Sequence, residues 1–156
     1  MSKRRMDYSL YLVTDRGLSR GRPTLEIVRA AVHGGVTCVQ LREKTGAIRA
    51  FIEEALRVKA FLDSCGVPLI INDRVDVALA VGADGVHLGQ SDLPLAAARS
   101  IAGPAMLIGI SVESTRDAVE AQAAGADYLG VSPVFATPTK TDTSAPLGLA
   151  GLRAIR

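Results

Sequence analysis

Apolar runs rich in Val, Ile and Leu alternate with Ala- and Leu-rich segments of helical spacing from one end of this chain to the other. The strand-like runs are residues 8–13, 36–42, 67–72, 84–88, 106–110 and 127–131. The helical segments between them are 25–33, 48–65, 75–81, 95–102 and 115–124, and another begins at Leu149. A strand that is always followed by a helix cannot pair with the next strand through a hairpin, so the order βαβα predicts a parallel sheet. A weak internal repeat marks the same period. HGGVTCVQL at His33, AVGADGVHL at Ala80 and AAGADYLGV at Ala123 each pass from a helix end through Gly into a strand. Glycine suits a helix C-terminus because it adopts positive φ at little cost.

Parallel βα repeats close into barrels or spread as doubly wound sheets, and two observations choose between these. No G-x-G-x-x-G follows the first strand, which counts against a dinucleotide-binding sheet. Successive strand side chains point to opposite faces, so polar positions report what each face meets. Val39 and Leu41 oppose Cys38, Gln40 and Arg42; Val86 and Leu88 oppose His87. Ile108 and Ile110 oppose Gly109 and Ser111; Leu129 and Val131 oppose Gly130 and Ser132. One face is apolar throughout, and the other turns polar at its C-terminal end. The expectation is an α/β fold of the (β/α)8 TIM-barrel class, with outer faces packed on helices and inner faces opening into a site at the strand C-termini. About six βα units are present, so residues 1–156 are expected to form one incomplete barrel domain.

Composition narrows the function classes. Apolar residues are 48% and charged residues 22% of the chain, as in ordinary globular proteins. No apolar run approaches the ~18 residues of a membrane span, and the charged start lacks a signal core, so a cytoplasmic protein away from membranes is expected. The net charge of +2 is small and the basic residues are scattered, which disfavours nucleic acid as a partner. Cys38 and Cys65 share no C-x-x-C spacing and are expected to be buried free thiols.

Gln40, Arg42, Glu43, Lys44, Asn72, Asp73, Arg74, Gln90, Asp92, Ser111, Thr137, Thr139 and Lys140 all follow strand ends, so a barrel gathers them at one rim. The set mixes cations, carboxylates and hydroxyls. Two carboxylates at one rim repel, and a divalent cation shared with substrate phosphates relieves that repulsion. Mg²⁺ with a diphosphate fits this inventory. Each residue also has a plainer role available. Asp73, Asp92 and Ser111 suit helix N-caps, Lys44 and Lys140 suit solvated surface, and His87 suits a hydrogen-bonded core position better than a catalytic one. Tyr8 and Tyr11 read most simply as core. The Thr- and Pro-rich connection 133–148 is longer than βα loops usually are, which marks it as functional.

The motifs YLVTDR, VQLREK, LIINDRVDVALAVGADGVHLGQSDLP, IGIS, YLGVSPVFATPTKTD and PLGLAGLR resemble the thiamine phosphate synthase family, from Tyr11 to Arg153. The resemblance implies a transferase of thiamine biosynthesis that condenses a hydroxymethylpyrimidine diphosphate with a thiazole phosphate, releasing pyrophosphate and using Mg²⁺ as cofactor. It implies Asp73 and Asp92 as metal ligands. Gln40, Arg42, Lys44, Asn72, Ser111 and Lys140 would hold the pyrimidine diphosphate, and Thr137 and Thr139 the thiazole phosphate. No side-chain nucleophile is implied. Partners are then small-molecule substrates, with a homo-oligomer left open. The segment SVESTRDA departs from the Ser-Thr-His expected after the fifth strand, while Ser111 is retained. Strands seven and eight of the barrel have no counterpart in these residues. Two other readings follow: a thiazole tautomerase-like relative, or a non-catalytic remnant that binds a ligand or a partner.

Overall fold

The computed structural model describes residues 6–136 and 145–156. Its strands are β1 (Tyr11–Val13), β2 (Cys38–Leu41), β3 (Leu69–Asn72), β4 (Gly85–Leu88), β5 (Leu107–Val112) and β6 (Tyr128–Val131). They alternate with helices α1 (Thr24–His33), α2 (Ile48–Cys65), α3 (Val75–Val81), α4 (Leu95–Ala102), α5 (Thr115–Ala123) and α6 (Gly148–Ile155). The strands form one parallel sheet in sequential order, β1 to β6. Every expected element is present. The strands start one to three residues later than their apolar runs suggest, because residues such as Val36 and Val67 close the preceding helix by bonding back to Ala31 and Leu62.

Period decides which face each element buries. On α2 the buried residues are Phe51, Ala55, Val58 and Leu62, spaced by four, three and four, one stripe of a 3.6-residue helix. Gly66 ends that helix at φ 69° and Gly82 ends α3 at φ 63°, left-handed caps that a Cβ would strain. The helical stripes meet Val39, Leu41, Ile71, Val86, Leu88, Ile108 and Ile110, the outward residues of the central strands, in one hydrophobic core.

The inner face is a second, smaller layer. Cys38, Ile70 and Leu107 are buried there near the strand starts, with Gln40, Asn72 and His87 above them. Asn72, His87, Gly109 and Tyr128 occupy one register row across β3 to β6. The sheet curls strongly. Five inter-strand spacings of ~4.8 Å would put β1 and β6 roughly 24 Å apart in a flat sheet. Yet the Tyr11 and Tyr128 hydroxyls lie 2.8 Å apart, hydrogen-bonded across the concave face. The architecture is a six-stranded half-barrel with helices outside.

Three expectations are corrected here. Cys65 is exposed, because it falls on the solvent side of the last turn of α2; Cys38 is buried, and both are free thiols. Tyr8 precedes β1 and is 38% exposed rather than core, since the strand begins only at Tyr11. Tyr11 points to the concave face, not into the packed interior, because its register partner Cys38 is also an inner-face residue. No helix among the described residues is long and apolar enough to cross a membrane.

Candidate active site

The concave face holds a cavity of about 770 Å³ at the C-terminal ends of the strands. Gln40, Arg42, Lys44, Asn72, Asp73, Asp92 and Ser111 all line it, contributed by β2, β3, β5 and the loops after β2, β3 and β4. Thr137, Thr139 and Lys140 lie outside the described residues.

The helix-cap roles do not apply. The N-cap of α3 is Arg74 and that of α4 is Pro94, neither with a side-chain cap bond, and α5 is capped by Ser114, whose hydroxyl accepts from the Asp117 amide at 3.1 Å. Asp73, Asp92 and Ser111 are therefore free of capping duty and turn to the cavity. Asp73 has φ 61°, a left-handed conformation unusual for a residue with a Cβ, fixed by its amide donating to the His87 carbonyl at 2.8 Å. One Asp73 oxygen accepts from Asn72 Nδ2 at 2.7 Å and the other receives the Lys44 ammonium. Burial pushes the Asp73 carboxyl up from its usual range, the neighbouring Asp92 adds to this, and Lys44 opposes it. Asp92 accepts from the Gly89 amide at 2.7 Å, which holds the loop after β4 in a tight turn.

The other cations and amides are also engaged. Arg42 reaches Asp15 at 2.7 Å, tying the loop after β1 to the end of β2. Gln90 Nε2 donates to the Ser111 carbonyl at 2.5 Å. Lys44, half exposed, pairs with Asp73.

Sequence reasoning passed over the aromatic floor of the cavity. Tyr8, Tyr11, His87 and Tyr128 line it. Tyr8 stacks on Tyr128 with ring centroids 4.8 Å apart, and His87 lies 5.4 Å from the same ring. Burial raises all three phenols, Tyr8 to about 12, so their hydroxyls stay protonated at any physiological pH. Alternation held the signal. Carrying the Gly130–Ser132 face one step back along β6 puts Tyr128 on it.

The pair Asp73 and Asp92, with the Asn72 Oδ1 atom buried and without a partner, makes an all-oxygen donor set. Among the described residues no three His, Cys, Asp or Glu side chains gather as a metal cage. The donor set fits Mg²⁺, which takes one or two carboxylates and completes its shell with water and substrate phosphate.

The fold and this cavity define an α/β half-barrel with a mixed acidic and basic site at its strand C-termini. Residues 10–156 match the family model described as thiamine monophosphate synthase. The thiamine-phosphate synthase of Chloroflexus aurantiacus is 56% identical over 97% of this chain and 69% of its own length. That of Syntrophomonas wolfei is 57% identical over 96% of this chain and 72% of its own. The solved thiamine phosphate pyrophosphorylase of Pyrococcus furiosus superposes with a TM-score of 0.83 at 43% identity, over 94% of this chain and 68% of that one. A Schiff-base-forming fructose-1,6-bisphosphate aldolase, 20% identical with a TM-score of 0.55, shares the fold alone. This chain belongs to the thiamine monophosphate synthase family.

Proposed function

We propose that this protein catalyses the thiamine-phosphate synthase reaction, joining 4-amino-2-methyl-5-(diphosphooxymethyl)pyrimidine to a thiazole phosphate with release of pyrophosphate. The observation that carries the reading is the juxtaposition of Asp73 and Asp92 beside Lys44 in a cavity large enough for two small substrates. The pair also favours this reading over an isomerase of the same fold. Isomerisation of a thiazole phosphate sets no diphosphate free, and so needs no such cluster.

Asp73 and Asp92 would hold Mg²⁺, with Asn72 Oδ1 nearby. Bound there, the ion supplies the positive charge that favours departure of pyrophosphate. Lys44 leaves Asp73 and takes up substrate phosphate, and Arg42 and Lys140 add charge around the diphosphate. Gln40, Asn72 and Ser111 orient the pyrimidine, and Thr137 and Thr139 receive the thiazole phosphate. The methylene–oxygen bond of the pyrimidine substrate breaks and its electron pair leaves with pyrophosphate. The electron-rich aminopyrimidine spreads the resulting positive charge, and the thiazole nitrogen lone pair closes the new C–N bond. No side chain attacks. The protein's contribution is alignment of two substrates and placement of charge where the leaving group develops it.

The same reading takes the half-barrel as part of a (β/α)8 domain in a protein of the relatives' length. The curl that brings Tyr11 to Tyr128 supports this. The test is to supply both substrates to the full-length protein with and without Mg²⁺ and measure thiamine phosphate and pyrophosphate. Equimolar products with Mg²⁺ and none with EDTA are expected; rearrangement of the thiazole without condensation would overturn the assignment.

A further inference from the structure

Five polar side chains from five strands form an unbroken series beneath the cavity. Gln40 Nε2 donates to the Tyr11 hydroxyl at 3.0 Å, and that hydroxyl lies 2.8 Å from the Tyr128 hydroxyl. Tyr128 in turn lies 3.1 Å from His87 Nδ1, and His87 Nε2 lies 2.9 Å from Ser111 Oγ. Two glycines make the series possible. A Cβ on Gly109, between His87 and Tyr128 in the register row, would collide with the Tyr128 ring. A Cβ on Gly130 would fall 2.9 Å from His87 Cε1.

A tyrosine hydroxyl has one proton to donate, and a neutral imidazole has one donor and one acceptor nitrogen. With each hydroxyl giving its proton to a neighbour within the series, the series runs end to end in one of two directions. The Gln40 amide, with its NH₂ on Tyr11, selects one. In that direction Tyr11 would donate to Tyr128, Tyr128 to His87 Nδ1, and the proton of His87 would sit on Nε2 and be donated to Ser111 Oγ. Ser111 then has its own proton free, and Gln40 has its carbonyl free. Both residues line the cavity.

We propose that Tyr11, Tyr128 and His87 are positioning residues whose one-way relay makes Ser111 a hydrogen-bond donor and Gln40 an acceptor toward the substrate. This rests on the reading above in which Gln40 and Ser111 hold the pyrimidine diphosphate. An acceptor matches an exocyclic amino group and a donor matches an anionic oxygen, so the relay selects a substrate carrying both. The reversed polarity would present an amide NH₂ and a spent hydroxyl, the wrong pair.

The experiment joins a spectroscopic readout to a kinetic one in the full-length protein. The sequence has two histidines, His33 and His87, so ¹⁵N-histidine NMR of the ligand-free protein at about pH 8, where imidazole is neutral, is assigned with one His33→Gln variant. His87 is expected with a protonated Nε2 and a bare Nδ1, and Tyr128→Phe is expected to mix the two tautomers. In turnover, Tyr128→Phe should raise KM for the pyrimidine diphosphate about tenfold and leave KM for the thiazole phosphate within about twofold. The effect should vanish in a Ser111→Ala background, the non-additivity expected of residues acting through one another. A resting Nδ1–H tautomer, or effects that add to those of Ser111→Ala, would overturn the relay. If Tyr128→Phe fails to fold, Tyr11→Phe breaks the series one bond earlier and carries the same expectations. Wild-type protein that makes no thiamine phosphate defeats the functional reading alone, since the tautomer is read without substrate.

Discussion

Aspartates stand at both ends of the strands, and the two sets live under opposite conditions. At the amino ends, Asp84 and Asp127 each occupy the same place in the Gly-Ala-Asp step that leads into β4 and β6. Asp84 accepts from the Leu69 amide at 2.9 Å with Lys59 3.9 Å away. Asp127 accepts from the Ile108 amide at 2.8 Å and from Arg99 Nη2 at 2.6 Å. Each stitches one strand to its neighbour; Arg99 neutralises Asp127, and Lys59 stands farther from Asp84. At the carboxyl ends, Asp73 sits in left-handed backbone against a second carboxylate, its charge disfavoured by burial. One side chain thus serves stability at the closed end and is held under electrostatic strain at the open end. Barrels divide their two faces in this way.

The contrast breaks most visibly on activity. Asp92→Ala and Asp73→Ala should each lower kcat/KM by at least about 100-fold, the scale of losing one preorganised charge-stabilising group, while melting within a few degrees of wild type. Steady-state kinetics with full-length protein decides it, and near wild-type turnover in either variant would remove the metal role. Asp127→Ala should do the reverse. It leaves the Ile108 amide and the Arg99 guanidinium without their carboxylate, a loss of about 2–3 kcal/mol. The midpoint of urea unfolding falls, while turnover per folded molecule stays within about twofold. Asp84→Ala should cost less, about 1 kcal/mol, because Lys59 is distant from it and also pairs with Asp63. If Asp84→Ala and Asp127→Ala reduced turnover without loss of stability, the division between the two ends would be wrong.

The whole βα rhythm was legible because it repeats. Helices α2, α3 and α4 begin and end at their sequence-derived residues, since Gly66, Gly82 and the stripe Phe51–Ala55–Val58–Leu62 are local signals. The cavity residues were legible as strand-end positions, but the partners they meet were not. Lys44 finds Asp73 and Ser111 finds His87 only through the pairing of neighbouring strands, which brings together residues 29 and 24 positions apart. The tyrosine floor was hidden as well. Tyr11 and Tyr128 are 117 residues apart, and nothing local to either says that the first and sixth strands face each other. Cys65 was misjudged because a cysteine's preference for burial is weaker than the helix period that turns it outward.

The smallest effect, and the one of opposite sign, comes from Asp→Asn at the two ends. At Asp127 the amide keeps an oxygen for Ile108 but loses the attraction to Arg99, so Asp127→Asn destabilises. At Asp73 the folded protein holds the carboxyl above its ordinary value of 3.8, so ionising it favours the unfolded chain. Below pH 3.8 the group is neutral in both states and no penalty exists. As pH rises through the raised folded value, the unfolded state has already lost its proton, and wild type gives up stability that an asparagine retains. Asp73→Asn should therefore unfold later than wild type at neutral pH in EDTA, with the advantage fading as the pH falls toward the unfolded carboxyl value. Mg²⁺ should then raise the melting point of wild type and leave Asp73→Asn almost unmoved, because the carboxylate whose repulsion it relieves is gone. A variant less stable than wild type at neutral pH would mean that the Lys44 contact outweighs burial and the neighbouring Asp92, and Asp73 would join the stabilising aspartates of the closed end.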